Sequence, residues 1–291
     1  MTIALVPSPT APDRLARAGL AQAERLAALV VDALVAEAVL TPKPGLVDRR
    51  GPGAHADIEL DTLIASAGAL RSCFVQMAQA GEGRAASQEL REELARIGRA
   101  GEEAMYAVTG GANTHRGAIW ALGLLVAAAA GAGGSVEVDA ICDRAGAIAR
   151  HRDRFAPGDD THGARACRIW RVSGARGEAA AGFPHARLAF DVLRRRRAAG
   201  AGEDEARLDA LVAVIARLDD TCLLHRGGRR ALRVARLGAR AVIAAGGMRE
   251  PAGRAALMAL DRRLLALNAS PGGAADMLAA ALFLDSLGRE G

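Results

Sequence analysis

Residues 12–40 read PDRLARAGLAQAERLAALVVDALVAEAVL, and apolar residues return through them at the spacing of a helix face, without the alternation of a strand. The same period recurs over residues 59–80, 87–108, 117–131, 136–150, 186–198, 204–224, 229–245, 252–267 and 273–287. Alanine and leucine outnumber valine, isoleucine and the aromatics, a composition that suits helices better than pleated sheets. The expected fold is all-α: a multi-helix bundle whose active site is formed by the glycine-rich segments between helices.

With 291 residues, 51% of them hydrophobic, and no Ser/Pro-rich or acidic tract, the chain is expected to form a single catalytic domain over 1–291, with 1–11 a flexible tail. Cys73, Cys142, Cys167 and Cys222 make no Cys-x-x-Cys pair, and the first residues lack the basic start and apolar run of a signal peptide. A reducing, cytoplasmic setting is expected. The stretch from Gly117 to Val136 carries no charge and approaches membrane-spanning length, but glycine and alanine dominate its second half and a polar motif precedes it. It reads as a buried core helix, and no membrane partner is expected.

A net charge of +5 and a sequence pI of about 9.6 favour anionic partners. Aromatic residues, at 3%, argue against stacking on single-stranded bases. Arg194 to Arg197 closes one helical stretch and Glu203-Asp204-Glu205 opens the next, which suits two helix dipoles better than a nucleic-acid patch. No nucleic acid is expected.

The rarest residues fall in the breaks between helices. Of 38 basic residues only Lys43 is a lysine, within Thr41-Pro42-Lys43-Pro44-Gly45. Arginine serves most solvated roles of lysine but cannot replace a compact ammonium in a tight polar site, so Lys43 reads as chemistry in a surface loop. The only two asparagines are Asn113, in Gly110-Gly111-Ala112-Asn113-Thr114-His115-Arg116-Gly117, and Asn268, in Asn268-Ala269-Ser270-Pro271-Gly272-Gly273. Further polar breaks are Gly53 to Asp57, Asp159 to Gly163, Gly174 to Glu178 with Gly182-Phe183-Pro184, Asp219-Asp220-Thr221, and His225 to Gly228.

Neither Gly-x-Gly-x-x-Gly nor Gly-x-x-x-x-Gly-Lys-Ser/Thr occurs, so phosphates have to be held without a Rossmann or Walker loop. Ser270-Pro271 followed by two glycines reads as a helix start whose free amides receive an anion, with an ordinary N-cap as the competing role. Arg176 and Arg226, beside glycines, are candidates for bidentate phosphate contacts. Asp219 and Asp220, with Asp48, Asp57 and Glu178, are candidates for Mg²⁺ or for a general base, against capping or salt bridging. His55, His115, His162 and His225 match no zinc signature and suit substrate hydrogen bonding, while His151 and His185 read as surface or structural residues. The Asp-Asp-x-x-Asp signature of an all-α, Mg²⁺-dependent prenyl transferase is absent. Such an enzyme of diphosphate chemistry, or a helical nucleic-acid module, is the alternative reading.

Taken in order, Thr-Pro-Lys-Pro-Gly-Leu-Val-Asp, Gly-Ala-His-x-Asp, Asn-Thr-His-Arg-Gly, Gly-Ala-Arg-Gly-Glu-Ala with Gly-Phe-Pro, Arg-Gly-Gly and Asn-x-Ser-Pro-Gly-Gly-x-Ala-Asp resemble the triphosphoribosyl-dephospho-CoA synthase family from about Glu37 to Leu278. Departures are Arg116 for the usual lysine, Ile58 for a methionine, and Ala104 where an acidic residue can stand. Asp-Thr-His-Gly at 160–163 and Asp-Asp-Thr at 219–221 look closer to the malonate decarboxylase branch than to the citrate lyase branch. The resemblance implies transfer of the triphosphoribosyl group of ATP to the 2′-hydroxyl of 3′-dephospho-CoA with loss of adenine. The product would pass to a holo-acyl-carrier-protein synthase acting on a decarboxylase or lyase carrier subunit. On that basis Lys43, Arg176 and Arg226 are expected at phosphates, Mg²⁺ at Asp48, Asp219 and Asp220, and Glu178 or Asp57 as base. Asn113 and His115 would position ribose or adenine, and His55, Thr114, Arg116, Asn268, Ser270, Gly272 and Gly273 would complete the substrate contacts.

Overall fold

The computed structural model describes residues 11–132, 137–156, 158 and 161–289, with side chains from Arg17 onwards. The tail expected before residue 11, and Asp159 and Asp160 of the Asp-Asp-Thr-His-Gly motif, lie outside the described residues. Thirteen helices follow one another among the described residues: α1 Ala11–Val39, α2 Leu60–Ala69, α3 Arg71–Gly81, α4 Gln88–Thr109, α5 Arg116–Ala130, α6 Val138–Arg150, α7 His162–Trp170, α8 Gly174–Ala180, α9 Pro184–Ala198, α10 Glu203–Ile215, α11 Thr221–Ala244, α12 Pro251–Ala266 and α13 Gly272–Leu287. No named strand occurs among them, and the all-α expectation holds.

The uncharged stretch after Gly117 forms α5, which is buried from Ala121 to Ala130. Burial on every side explains its lack of a polar face, and α1, α3, α4, α6 and α13 pack around it. Small residues set how close these helices come: a Cβ on Gly81 would overlap the carbonyl of Ala127, so α3 and α5 meet backbone to backbone. No helix of the described residues is long and apolar enough to cross a membrane. Helix ends follow local chemistry. Ser87 accepts a hydrogen bond from Leu90 N at the start of α4, Gly110 ends α4 in the left-handed region (φ 63°), and Pro184 and Pro251 open α9 and α12.

Several boundaries differ from the periodicity. The helix expected over 59–80 is two, separated at Leu70. The polar segment expected as loop from 159 to 184 contains α7 and α8, so Arg176 and Glu178 lie on a short helix. The helix expected over 204–224 stops at Ile215, and His225, Arg226 and Gly227 continue α11 up to a kink at Gly228 (φ 60°, ψ −156°).

Candidate functional site

A cavity of about 1320 Å³ opens where the segment after α1, the start of α5, the stretch before α7, and the first turns of α8, α11 and α13 converge. Its lining runs in sequence from Leu34 to Ala279.

The Pro-Lys-Pro segment is folded inward. Lys43 is 1% exposed, and its ammonium donates to the carbonyl of Glu37 at 2.7 Å and to Glu37 Oε1 at 2.6 Å. It is therefore not a cation in a surface loop, as its position between prolines suggested, but half of a buried ion pair at the cavity wall. Asp48 lies off the cavity and staples the same segment. Its carboxylate accepts from Lys43 N at 2.7 Å, from Arg50 N at 2.7 Å and from Arg50 Nε at 2.9 Å. Burial alone would raise the Asp48 pKa, but the Arg50 guanidinium and these amides outweigh it and leave it below the ordinary value. Arg50 also reaches Asp261 at 2.8 Å, and Asp261 accepts from Gly45 N at 2.8 Å.

His55 meets Arg226 across 171 residues, Nδ1 to Nη2 at 3.0 Å, while Arg226 Nη1 donates to Ala54 O at 2.9 Å. Burial, with the Arg226 charge, pushes the His55 pKa down to about 4, so the ring is neutral. Asp57 stands at the mouth with its side chain 64% exposed. Behind the lining residues Thr114 and His115, Ser66 Oγ bridges Thr114 Oγ1 at 2.7 Å and His115 Nδ1 at 2.8 Å. His115 is buried beside Lys43, and burial with that charge pushes its pKa to about 4 as well. Asn113 accepts from Arg116 N at 3.3 Å, and Arg116 pairs with Glu102 at 3.0 Å.

Glu178 lines the cavity from α8 and is 7% exposed. Both its oxygens are taken by His185, from the main-chain N–H at 2.7 Å and at Nδ1 at 2.7 Å, so His185 belongs to the site's support. His162 and His225 stack with ring centroids 4.0 Å apart.

The helix starts near Asp220 depart most from expectation. Asp220, 2% exposed, caps α11 by accepting from Cys222 N and Leu223 N, and its other oxygen accepts from Ala274 N at 2.9 Å. The anion at the start of α13 is thus the protein's own carboxylate. Burial raises the Asp220 pKa against these amides. Pro271 stands at the N-cap position, Ser270 is buried with its Oγ unpaired, and Gly272 and Gly273 line the cavity. Asn268 is exposed, off the cavity, with φ 48°: it ends α12 in a left-handed turn, where asparagine ranks next to glycine. The structure does not bring Asn268, expected among the substrate contacts, to the cavity.

Asp219 faces solvent with its side chain 52% exposed and pairs with Arg236 at 2.9 Å. Asp48, Asp219 and Asp220 do not converge, and among the described residues no group of three or more His, Cys, Asp or Glu side chains is placed to hold a metal ion. The three residues do not fit a resident Mg²⁺.

Asp276 of α13 closes the Asn-x-Ser-Pro-Gly-Gly-x-Ala-Asp motif, and sequence reading assigns it no role of its own. It lines the cavity with its Oδ2 packed against Gly117, where a Cβ would overlap it. The other lining acids have partners or face solvent; Asp276 has no hydrogen-bond or ion-pair partner among the described residues. Burial, then the charges of Asp220 and Glu37, push its pKa well above the ordinary carboxylate range. Glu37, Arg91 and Trp120 were missed too. The only sequence signal for Asp276 is its place at the end of the Ser-Pro-Gly-Gly motif, and Arg91, beside Glu92 and Glu93, looks like helix surface.

Residues 23–291 match the CitG family, described as ATP:dephospho-CoA triphosphoribosyl transferase. The chain is 57% identical over 266 residues to the probable 2-(5''-triphosphoribosyl)-3'-dephosphocoenzyme-A synthase of Pseudomonas paraeruginosa (strain DSM 24068 / PA7), covering 91% of each. To the similarly named probable synthase of Pseudomonas syringae pv. syringae (strain B728a) it is 55% identical over 267 residues, 91% of this chain and 92% of that one. To the 2-(5''-triphosphoribosyl)-3'-dephosphocoenzyme-A synthase of Klebsiella pneumoniae it is 54% identical over 253 residues, 87% of this chain and 90% of that one. No solved structure matches the chain.

Proposed function

The chain belongs to the ATP:dephospho-CoA triphosphoribosyl transferase family, and from that premise we propose that it joins C1′ of the ATP ribose to the 2′-hydroxyl oxygen of 3′-dephospho-CoA. The C1′–N9 bond of ATP breaks, the C1′–O bond forms, and the hydroxyl proton ends on the departing adenine. The observation that supports this most is one cavity gathering motif residues from Lys43, His115, Glu178, Arg226 and Gly273, each from a different segment.

Glycosyl transfer through an oxocarbenium-like transition state asks for a carboxylate near the anomeric carbon, a base at the hydroxyl and donors for the phosphates. Asp276 is the base on this reading. It is the lining carboxylate without a partner, whereas Glu178 is held by His185 and Asp57 stands in solvent. Neutral His115 and Thr114, fixed by Ser66, hydrogen-bond the ribose, and His55 with Arg226 binds the acceptor at the mouth. The Lys43–Glu37 pair fixes the wall behind His115. Mg²⁺ comes as the counter-ion of ATP, and no step here runs through it.

Purified protein with Mg-ATP and 3′-dephospho-CoA should release adenine one for one with an adduct heavier by a triphosphoribosyl unit. Release of ADP or pyrophosphate instead would overturn the reading. The motifs at 160–163 and 219–221 favour a malonate decarboxylase carrier protein as the final destination, reached through a holo-acyl-carrier-protein synthase, with the enzyme in the cytoplasm.

A further inference from the structure

Arg91 lies in the first turn of α4 and is only 7% exposed. Its Nε has no acceptor, and its side chain makes no hydrogen bond or ion pair among the described residues. The guanidinium lies instead 4.6 Å from the centroid of the Trp120 ring. Trp120 is itself fixed, its Nε1 donating to Ala175 O at 3.1 Å, and both side chains line the cavity.

Asp153 and Glu92 attract this cation, but each already pairs with another arginine, Glu92 with Arg154 at 2.6 Å. Asp153 is bonded to Arg99 at 2.6 Å, and Arg99 and Arg176 add like charge around Arg91. Burial, with those two arginines, holds the guanidinium below its ordinary pKa. A desolvated guanidinium is costly unless an anion meets it, and an indole face supplies only part of that. The position is nonetheless open to the cavity, where a ligand can reach it. Trp120 follows Gly117 by three residues on α5, so Arg91 and Asp276 stand beside adjacent turns of one helix.

We infer that Arg91, seated on Trp120, is a subsite for a condensed phosphate: the triphosphate of ATP or the diphosphate of dephospho-CoA. The identity of those two sources rests on the transferase reading; the anion subsite does not. A planar fork of donors over a fixed ring is the geometry that grips a phosphate through two oxygens.

Inorganic tripolyphosphate is the probe. It should change the Trp fluorescence of the wild-type protein and raise its melting temperature. Arg91→Met should bind it about tenfold more weakly or worse, yet melt no lower than wild type, because the uncompensated buried charge is gone. Arg91→Lys keeps the charge without the fork and should also bind more weakly, which keeps the test decisive if the Met variant fails to fold. In turnover, a raised KM for ATP alone assigns the triphosphate, and a raised KM for dephospho-CoA alone assigns the diphosphate. Unchanged tripolyphosphate affinity in a folded Arg91 variant would overturn the subsite. That binding needs no turnover, so absence of adenine release would defeat the transferase reading and leave this result standing.

Discussion

Asp276 gives the sharpest test at the scale of a single residue. It has to be ionised to accept a proton, so the rate should climb as pH rises through its elevated pKa. Asp276→Asn should remove that acid limb and lower the rate by about a hundredfold or more. Stability runs the other way, since the fold holds the Asp276 proton more tightly than the unfolded chain does. The variant and wild type should differ least below the ordinary carboxylate pKa of 3.8, and the variant should gain on wild type as pH rises through the folded value. A rate profile that keeps its acid limb in the variant would move the base elsewhere. Lys43 shows how far residue rarity could be read. Its scarcity drew attention to a residue that proves buried and ion-paired, but the partner, Glu37, sits in the last turn of α1 and looked like the tail of an apolar helix. Lys43→Arg would force a longer side chain into a space 1% exposed, so that substitution would perturb packing as well as chemistry.

Between elements, one carboxylate joins two helix starts. Asp220 accepts three amide hydrogen bonds, two at α11 and one at α13. Asp220→Ala strips both starts of their acceptor and should cost about 1–3 kcal/mol, read as a lower melting temperature, with activity falling further because Gly272, Gly273 and Asp276 ride on α13. Asp219→Asn, at a half-exposed surface pair, should stay within about 0.5 kcal/mol of wild type. Equal effects of the two would sink this account. The sequence order Asp-Asp-Thr announced a cap but not its second helix, because the Ala274 contact is a matter of tertiary packing. The same limit explains the missed elements. The long helices were legible from their period, whereas α7 and α8, at nine and seven residues, are too short to nucleate alone and owe their existence to neighbours. The break at Leu70 has no proline, and Gly68, two residues earlier, lies inside α2.

For the whole molecule, the lack of a metal-holding group among the described residues carries its own expectation. A chelator should stop adenine release by stripping Mg²⁺ from ATP while leaving the melting temperature of the free protein unchanged. A marked drop on chelation would reveal a resident ion. The motif set pointed to much of the cavity lining, including His55, His115, Glu178 and Arg226. It could not point to Arg91 and Trp120, whose meaning arises only when α4 lies against α5.

The cavity draws its walls from Leu34 through Ala279, and the one acid without a partner among its described lining residues comes near the end of that span. During translation, chain emerges at roughly 5–20 residues per second, so α1 to α12 are available well before α13. Until α13 docks, Asp220 has no Ala274 to hold and Gly117 has no Asp276 beside it. A nascent chain at that stage lacks the group assigned to activate the acceptor, so on that assignment it should not release adenine from ATP.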